Sequence, residues 1–166
     1  MNRTLKLAIF VSTAVLGGWF VWRMLEGDTA RIRRLVLEVE TAFNAGSMGG
    51  MSAALAPNFR QKPDGLERNE VVAMLAHLFL TERDQKTKAF LHQVTVGRDA
   101  IDISFEEGSP PRAKLSLEVD FGRRAPSGEF NHTARVRFDG RVEKLDGAWK
   151  LIEAEAKRID GKWPPF

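Results

Sequence analysis

Two glutamates near the end of the chain have the residue type and spacing of an acid–base pair. Glu153 and Glu155 follow Trp149 and Leu151 in the segment LDGAWKLIEAEAKRID, at the two-residue period of a β-strand. In a regular strand these four side chains share one face, so both carboxylates would point into the core and could move protons on a bound substrate. Burying two like charges this close is costly unless each is paired or protonated.

A bulge in the same strand gives the opposite arrangement. Ile152, Ala154 and Ala156 are also apolar but have the other parity. One extra residue near Leu151 and Ile152 would turn these three side chains inward and the two glutamates, with the lysine that follows them, outward. Bulges are common where a sheet curves, and this one would avoid the buried charges. We therefore expect a bulge, with both glutamates at the surface.

The histidines are the other candidates for proton or metal chemistry. The chain has three, His77, His92 and His132, and no cysteine. His92 and His132 occupy apolar positions of alternating segments and are expected to face the interior, whereas His77 is expected at a helix surface. A metal site needs a third ligand and usually a compact motif, and neither HExxH nor a close histidine–carboxylate pairing is present. We expect no catalytic residue, no metal and no cofactor, and hydrogen-bonded, partly buried side chains at His92 and His132.

Motifs for nucleophilic and phosphate chemistry are missing. There is no G-x-S-x-G elbow, and the glycines of AGSMGG lack the Lys-Ser/Thr ending of a phosphate loop. The formal net charge is +3 without a long basic block, which argues against nucleic acid as a partner. A run of arginines alternates with acidic residues, which indicates the solvated face of two long strands, although docking of an acidic partner or lipid headgroups is the alternative. These arginines are Arg123, Arg124, Arg135, Arg137 and Arg141.

Residues 1–28 predict a membrane anchor and a short linker. Arg3 and Lys6 precede sixteen uncharged residues, Leu7 to Trp22, and Arg23 follows them. The run is short for a span, but the flanking cations can reach both interfaces, and two tryptophans near its end suit the headgroup zone. A cleaved signal peptide is the alternative, but the candidate site Ser12-Thr13-Ala14 falls inside the apolar run, and the better-placed Asp28-Thr29-Ala30 has an unsuitable Asp at its first position. We expect an uncleaved anchor.

The orientation of this anchor depends on the positive charges that flank it. Arg3 and Lys6 favour a cytoplasmic amino terminus. Arg23, Arg31, Arg33 and Arg34 argue for the reverse, but the last three belong to a predicted helix of the folded domain. We therefore expect a single-pass protein of the cell membrane with its globular domain on the non-cytoplasmic side.

Residues 29–166 predict one α+β domain, with helices first and strands afterwards. The segment ARIRRLVLEVETAFNAG has helical apolar spacing and ends at Gly46. SMGGMSAALAPNFR predicts a short helical turn that stops before Pro57, and Asn69 can cap a third helix. After Lys86 the apolar period becomes two over four segments, and Asp146-Gly147 predicts a hairpin into the last strand. Successive hairpins predict a strongly curved antiparallel sheet with one apolar and one polar face.

Three of these segments also carry a resemblance to a known family. They resemble parts of the nuclear transport factor 2-like superfamily, in its SnoaL-like and ketosteroid-isomerase-like bacterial branches. The helix, turn and corner of that family are resembled by AFNAGSMGGMSAALAPNFR, its third helix by RNEVVAMLAHLF, and its closing hairpin by LDGAWKLIEAEAKR. The resemblance covers about Thr29 to Ile159 and implies a cone of curved sheet closed by helices, with a pocket beside them. Ser47 stands where many members have Asp. The chain also has no Tyr, the hydroxyl donor of isomerase-type chemistry.

The expected function follows from this cone and from the predicted anchor. We expect a non-catalytic, membrane-anchored domain that binds an apolar small molecule in the cone or a protein partner on its surface. The alternatives are a small isomerase or dehydratase that combines a pocket carboxylate with His92 or His132, and a scaffold subunit of an envelope assembly. A homodimer formed through the sheet is a further expectation. The candidate pocket residues are Phe79, Phe90, His92, Phe105, Leu117, Phe130, His132 and Trp149.

Overall fold

The computed structural model of the chain describes residues 27–97, 100–125 and 129–162. Over these residues three α-helices and six β-strands form an α+β fold with a curved sheet, which confirms the predicted class. The compact unit that contains the sheet comprises Ile32–Phe166. Nearly all of the predicted anchor lies outside the described residues, and no helix within them is long and apolar enough to cross a membrane.

The first two helices follow the predicted pattern. Helix α1 comprises Asp28–Asn44, and Gly46 just beyond it has a φ of +60°, a left-handed conformation that suits glycine at the end of a helix. Helix α2 comprises Met48–Ala54. Ser47 caps it, because its hydroxyl oxygen accepts a hydrogen bond from the Gly50 N–H at 3.4 Å.

Helix α3, Arg68–Thr81, begins before the predicted cap. Asn69 lies inside its first turn, so the prediction of Asn69 as the N-cap is wrong. The cap is Glu67, whose backbone N–H donates to the Glu70 carboxylate at 2.7 Å. A side chain three residues into the helix that reaches back to the cap satisfies an otherwise unpaired donor, and here it fixes the start of α3.

The sheet is mixed rather than wholly antiparallel. Its order is β1-β6-β5-β4-β2, and β3 pairs with the other half of β4 on the side that β2 also occupies. Strand β1 runs parallel to β6, and the other pairings are antiparallel. The sequence did not predict β1, since Pro57 interrupts it and its burial does not alternate. The strands are β1 Leu55–Lys62, β2 His92–Val96, β3 Asp102–Glu106, β4 Arg112–Arg124, β5 Phe130–Leu145 and β6 Ala148–Gly161.

The last two strands form the predicted hairpin. Asp146 and Gly147 have φ angles of 49° and 79°, the positive values that a two-residue turn of this handedness needs at both positions. In β6, Leu151 pairs with Val142 and Glu153 with Arg141, so Ile152 is an extra residue. The predicted bulge is therefore confirmed, and Glu153 lies on the polar face.

One face of the sheet and the helices enclose the hydrophobic core. Phe43 of α1 meets the rings of Phe79, Phe90 and Phe121 edge to face, with ring centroids 5.7, 5.4 and 6.1 Å apart. The Phe79 and Phe90 rings also meet, at 4.9 Å. Such edge contacts add to the stability that burial of the rings already provides. This part of the core face is therefore filled by the side chains of the protein itself.

Candidate functional site

Five of the eight candidate pocket residues lie in the core. Four of these belong to the hydrophobic core cluster, namely Phe79, Phe90, Leu117 and Trp149, and the fifth, His92, is buried with its ring centroid 5.6 Å from that of Phe90. Phe105 lies on the same side of the sheet at its open edge, where it is 52% exposed and its ring centroid is 6.1 Å from that of Trp149. The core face therefore holds most of the predicted set.

The expectation that Phe130 and His132 face the interior is wrong. In the β4–β5 pairing Phe121 lies opposite Ala134 and Gly122 opposite His132, so Thr133 is an extra residue that reverses the parity of the strand before it. The Thr133 hydroxyl donates to the Phe121 carbonyl at 3.1 Å and holds this bulge. Phe130 and His132 consequently lie on the polar face.

The two residues on the far side of this bulge have new neighbours. His132 is exposed, with Nε2 3.3 Å from Asp120 Oδ1. The Phe130 ring lies over Gly122, where a Cβ atom would come within 2.3 Å of it. Glycine at position 122 therefore makes room for this ring on the polar face.

A second arrangement joins His92 to a carboxylate and an arginine. His92 is 3% exposed, and its Nε2 lies 3.2 Å from Oε2 of Glu82, just beyond α3. A guanidinium nitrogen of Arg123, which pairs with His92 across β2 and β4, lies 3.7 Å from the same oxygen. Histidine and arginine can both donate to the carboxylate, so the cluster ties the end of α3 to the sheet.

The sequence did not indicate the His92–Glu82 pair, because nine residues lie between Glu82 and His92 along the chain. This segment is held by its own hydrogen bonds: Leu91 N–H donates to the Glu82 carbonyl, and the Asp84 carboxylate accepts from the N–H groups of Lys86 and Thr87. The bonds from Thr87 hold the pKa of Asp84 below its ordinary value. The aspartate at position 84 is a typical turn residue, and a turn there was the one sequence feature that could have indicated that His92 comes back to Glu82.

A cavity of about 520 Å³ lies on the polar face of the sheet, between β3 and β6. Four carboxylates, two cations and two hydroxyls contribute to its lining, together with Ile103, Leu115 and Gly140. Glu153 and Glu155 of β6, which were predicted to face away from the core, both line this cavity. The lining residues are Asp102, Ile103, Ser104, Lys114, Leu115, Ser116, Asp139, Gly140, Arg141, Glu153 and Glu155.

The charges around this cavity are partly paired with one another. Arg141 donates two hydrogen bonds to Glu106 Oε2, at 2.8 and 3.2 Å. This bond lowers the pKa of Glu106 and raises the pKa of Arg141. The Ser116 hydroxyl donates to Asp139 at 2.7 Å. Within the described residues Asp102 makes no ion pair, and the structure leaves its carboxylate exposed at the rim.

Arg135 and Arg137 on the polar face confirm the predicted interleaving, but the prediction is wrong for Arg123, which pairs with the buried His92 and so lies on the other side of the sheet. Arg135 donates to Asp120 at 2.8 Å, and this bond raises the pKa of Arg135. Arg137 lies 3.7 Å from Glu118. These rows of paired charges leave few uncompensated cations between β4 and β5.

The chemistry available at this face is charged hydrogen bonding. Among residues 27–97, 100–125 and 129–162 no group of three or more histidine, aspartate or glutamate side chains could hold a metal ion. The carboxylates can accept from ammonium or guanidinium groups, and the serines can donate or accept.

No family model matches the sequence, and the search of curated proteins also found no match. Solved structures do match, at low identity. A protein of unknown function with a cystatin-like fold from Nostoc punctiforme has a TM-score of 0.61 at 15% identity, over 84% of this chain and 96% of that one. A protein described as a putative scytalone dehydratase from Novosphingobium aromaticivorans has a TM-score of 0.62 at 14% identity, over 84% and 89%.

A nuclear transport factor 2-like protein from Cytophaga hutchinsonii gives a TM-score of 0.58 at 14% identity, over 81% of this chain and the whole of that chain. Similarity at this level of identity concerns the backbone and carries no function. The residue pattern predicts helices packed on a curved sheet, and the matching structures share this architecture. The described part of the chain therefore has the cystatin-like, nuclear transport factor 2-like α+β fold.

Proposed function

We propose that the protein is a non-catalytic, membrane-anchored docking domain that binds a protein partner at the cavity on the polar face of its sheet. The observation that carries this proposal is the difference in filling between the two faces. The edge-to-face rings of Phe43, Phe79, Phe90 and Phe121 fill the part of the core side around Phe43, whereas the cavity on the polar side is open. A partner has access to the second face without rearrangement of the core.

The charges of the cavity indicate a basic partner. Three of its four lining carboxylates lie within 4.0 Å of Lys62 or Lys157, so Asp102 at the rim is the lining carboxylate that has no ion pair within the described residues. Surface charges of one sign speed the encounter with an oppositely charged partner and help select it. Lysine or arginine side chains of a partner would therefore be favoured here.

The docking site is tested by photo-cross-linking in native membranes. A photoreactive phenylalanine analogue at Ser104, an exposed position on the cavity wall, is expected to form an adduct with a partner protein. The same analogue at Glu38, an exposed position of α1, is the matched control and is expected to form none. Adducts from position 38 alone would contradict the proposal, and an adduct between two copies of the chain would assign the face to a homodimer.

The membrane anchor in this proposal rests on the uncharged run from Leu7 to Trp22. The full-length protein is expected to stay in membranes through an alkaline carbonate wash, and its release into the soluble fraction would reject the anchor. Protease added to intact spheroplasts is expected to digest the domain. Complete protection would place the domain on the cytoplasmic side instead.

A small isomerase or dehydratase is the second candidate, and the His92–Glu82 pair is the observation that favours it. A histidine beside a carboxylate can transfer protons, but His92 is only 3% exposed, which leaves a substrate little access to its ring. We expect no turnover of a Δ5-ketosteroid or of a β-hydroxy ketone by the full-length protein in detergent. Turnover that disappears in both His92→Ala and Glu82→Gln would replace the docking proposal.

A further inference from the structure

We infer that the open edge of β3, at the rim of the cavity, accepts an extended basic segment of the partner as an added strand. This inference rests on the proposed docking function and specifies how the partner binds. Strand addition uses the unpaired backbone groups of a sheet edge for affinity and alternate side chains for specificity.

The edge itself follows from the sheet topology. Strands β2 and β3 lie on the same side of β4, where β2 pairs with its second half and β3 with Arg112 to Ser116. Within the described residues no strand pairs with the outer side of β3. Its outward N–H and C=O groups are therefore available to another chain.

The apolar side of this edge lacks a cover. Ile103 and Phe105 alternate with polar residues and lie on the core side of β3, opposite Leu115 and Ala113 of β4. Phe105 is half exposed although its ring rests against the buried Trp149. An added strand with apolar side chains on this side would bury the exposed part of the Phe105 ring, which favours binding.

The polar side of the edge is acidic and continues into the cavity. Asp102 and Ser104 line the cavity, whereas Glu106, the third residue on this side, is already bonded to Arg141. The carboxylate of Asp102 is therefore the group that a cation of the added strand would meet first. Opposite charges on directly neighbouring strands stabilise a pairing, and like charges destabilise it.

The same rule argues against a second copy of the chain as the occupant. Antiparallel self-pairing of Asp102–Glu106 centred on Ser104 would place Asp102 beside Glu106 of the other copy. Parallel self-pairing in register would place Asp102 beside Asp102. Both arrangements bring carboxylates together, so a segment with alternating basic and apolar residues fits this edge better than β3 itself.

The test uses a fluorescein-labelled peptide of alternating lysine and valine and the full-length protein in a zwitterionic detergent. Fluorescence anisotropy is expected to show binding. The same peptide with a methyl group on every backbone nitrogen keeps its charge but has no backbone N–H to donate along either edge, and it is expected to bind about tenfold more weakly. Asp102→Lys is expected to weaken the unmodified peptide at least about fivefold. Glu38→Lys, with the same charge change on α1, is expected to leave the affinity unchanged.

Hydrogen exchange separates strand addition from attraction by charge alone. On binding of the peptide, the amides of β3 are expected to gain protection. Strand addition would be overturned if the two peptides bound with equal affinity or if β3 gained no protection. The cross-link from position 104 would still be evidence for docking. Absence of that cross-link with intact peptide binding would reject the docking function instead. Dimers of the unliganded protein that Phe105→Asp dissolves would assign the edge to a second copy and overturn the inference.

Discussion

The two faces of the sheet are formed by the same strands but differ in their side chains and in their packing. In β4 one parity carries the buried Ala113, Leu115, Leu117 and Val119, and the other carries serine and charged residues. On the core side large rings are held by many contacts. On the polar side the side chains meet in ion pairs of 2.6 to 4.0 Å around an open cavity.

Because of this difference, we expect the core face to determine the stability of the fold and the polar face to determine what the domain binds. Buried apolar side chains contribute most of the folding free energy, whereas an exposed ion pair contributes about 0–1 kcal/mol. Substitutions on the polar face can therefore change what the domain binds and leave the fold intact. Four predictions test this division, beginning with the largest expected effect.

Trp149→Ala tests the core face. Trp149 is 5% exposed, so its removal is expected to lower the free energy of unfolding by about 3–5 kcal/mol, measured by chemical denaturation. Phe105→Ala is the control, since that ring is half exposed and should cost about 1 kcal/mol. Equal losses from the two variants would show that the edge is packed as tightly as the core.

Gly161→Ala tests the end of the β5–β6 pairing, where a second bulge leaves Ile159 without a partner in β5. Gly161 has a φ of +76°, and a Cβ atom there would lie 2.2 Å from the backbone oxygen of Thr133. We expect a loss of about 2–3 kcal/mol in denaturant unfolding.

Gly65→Ala is the matched control for this substitution. Its φ is +75°, but a Cβ atom would meet nothing within 4 Å, so only the backbone strain of about 1 kcal/mol remains. A loss at position 161 no larger than at position 65 would mean that the strand ends there without pairing to Thr133 and Ala134.

Glu155→Gln tests the polar face. Its carboxylate is partly exposed and lies 3.1 Å from Lys157, so the change in stability is expected to be no more than about 0.5 kcal/mol. Denaturant unfolding at neutral pH measures it. A large gain in stability would reveal a buried, uncompensated charge and contradict the assignment of this residue to the outer face.

Glu106→Gln tests the ion pair with Arg141 through its dependence on pH. Because the pKa of Glu106 is lowered in the folded protein, the pair stabilises the fold above the ordinary pKa of glutamate and loses this effect as the pH falls through the lowered value. The variant is expected to lower Tm at pH 7 by no more than about 2 °C. Near pH 2 the difference from the natural protein should vanish. Glu107→Gln, at the exposed neighbouring position, is the control and should leave Tm at pH 7 unchanged.

The bulges at Ile152 and Thr133 show what the sequence could and could not predict. In β6 the apolar residues change parity after Leu151, and this change predicted the extra residue at Ile152. In β5 apolar or aromatic residues keep one parity through Phe130, His132 and Ala134, so nothing in the pattern indicated the extra Thr133. A bulge is visible in a sequence only when both of its sides bury apolar residues.

Other features depend on contacts between distant parts of the chain. Helices α1 and α3 and the β5–β6 hairpin rest on local spacing and turn chemistry, and they were predicted with small errors at the ends. Strand β1, the pairing of Glu82 with His92 and the cavity depend on tertiary contacts that no short segment encodes. The expectation of a ligand in the cone did not anticipate the cavity on the opposite face.

The parallel pairing of β1 with β6 affects how the domain folds during synthesis. Leu55 pairs with Leu151, so nearly a hundred residues must emerge before β1 finds its neighbour. Chains are made from the amino terminus, and pairings between residues this far apart close slowly. Until β6 is made, β1 is an unprotected strand on a nascent chain. The last hairpin to be synthesised therefore completes the sheet, and a chain that ends before it would leave both strands beside β6 exposed to aggregation.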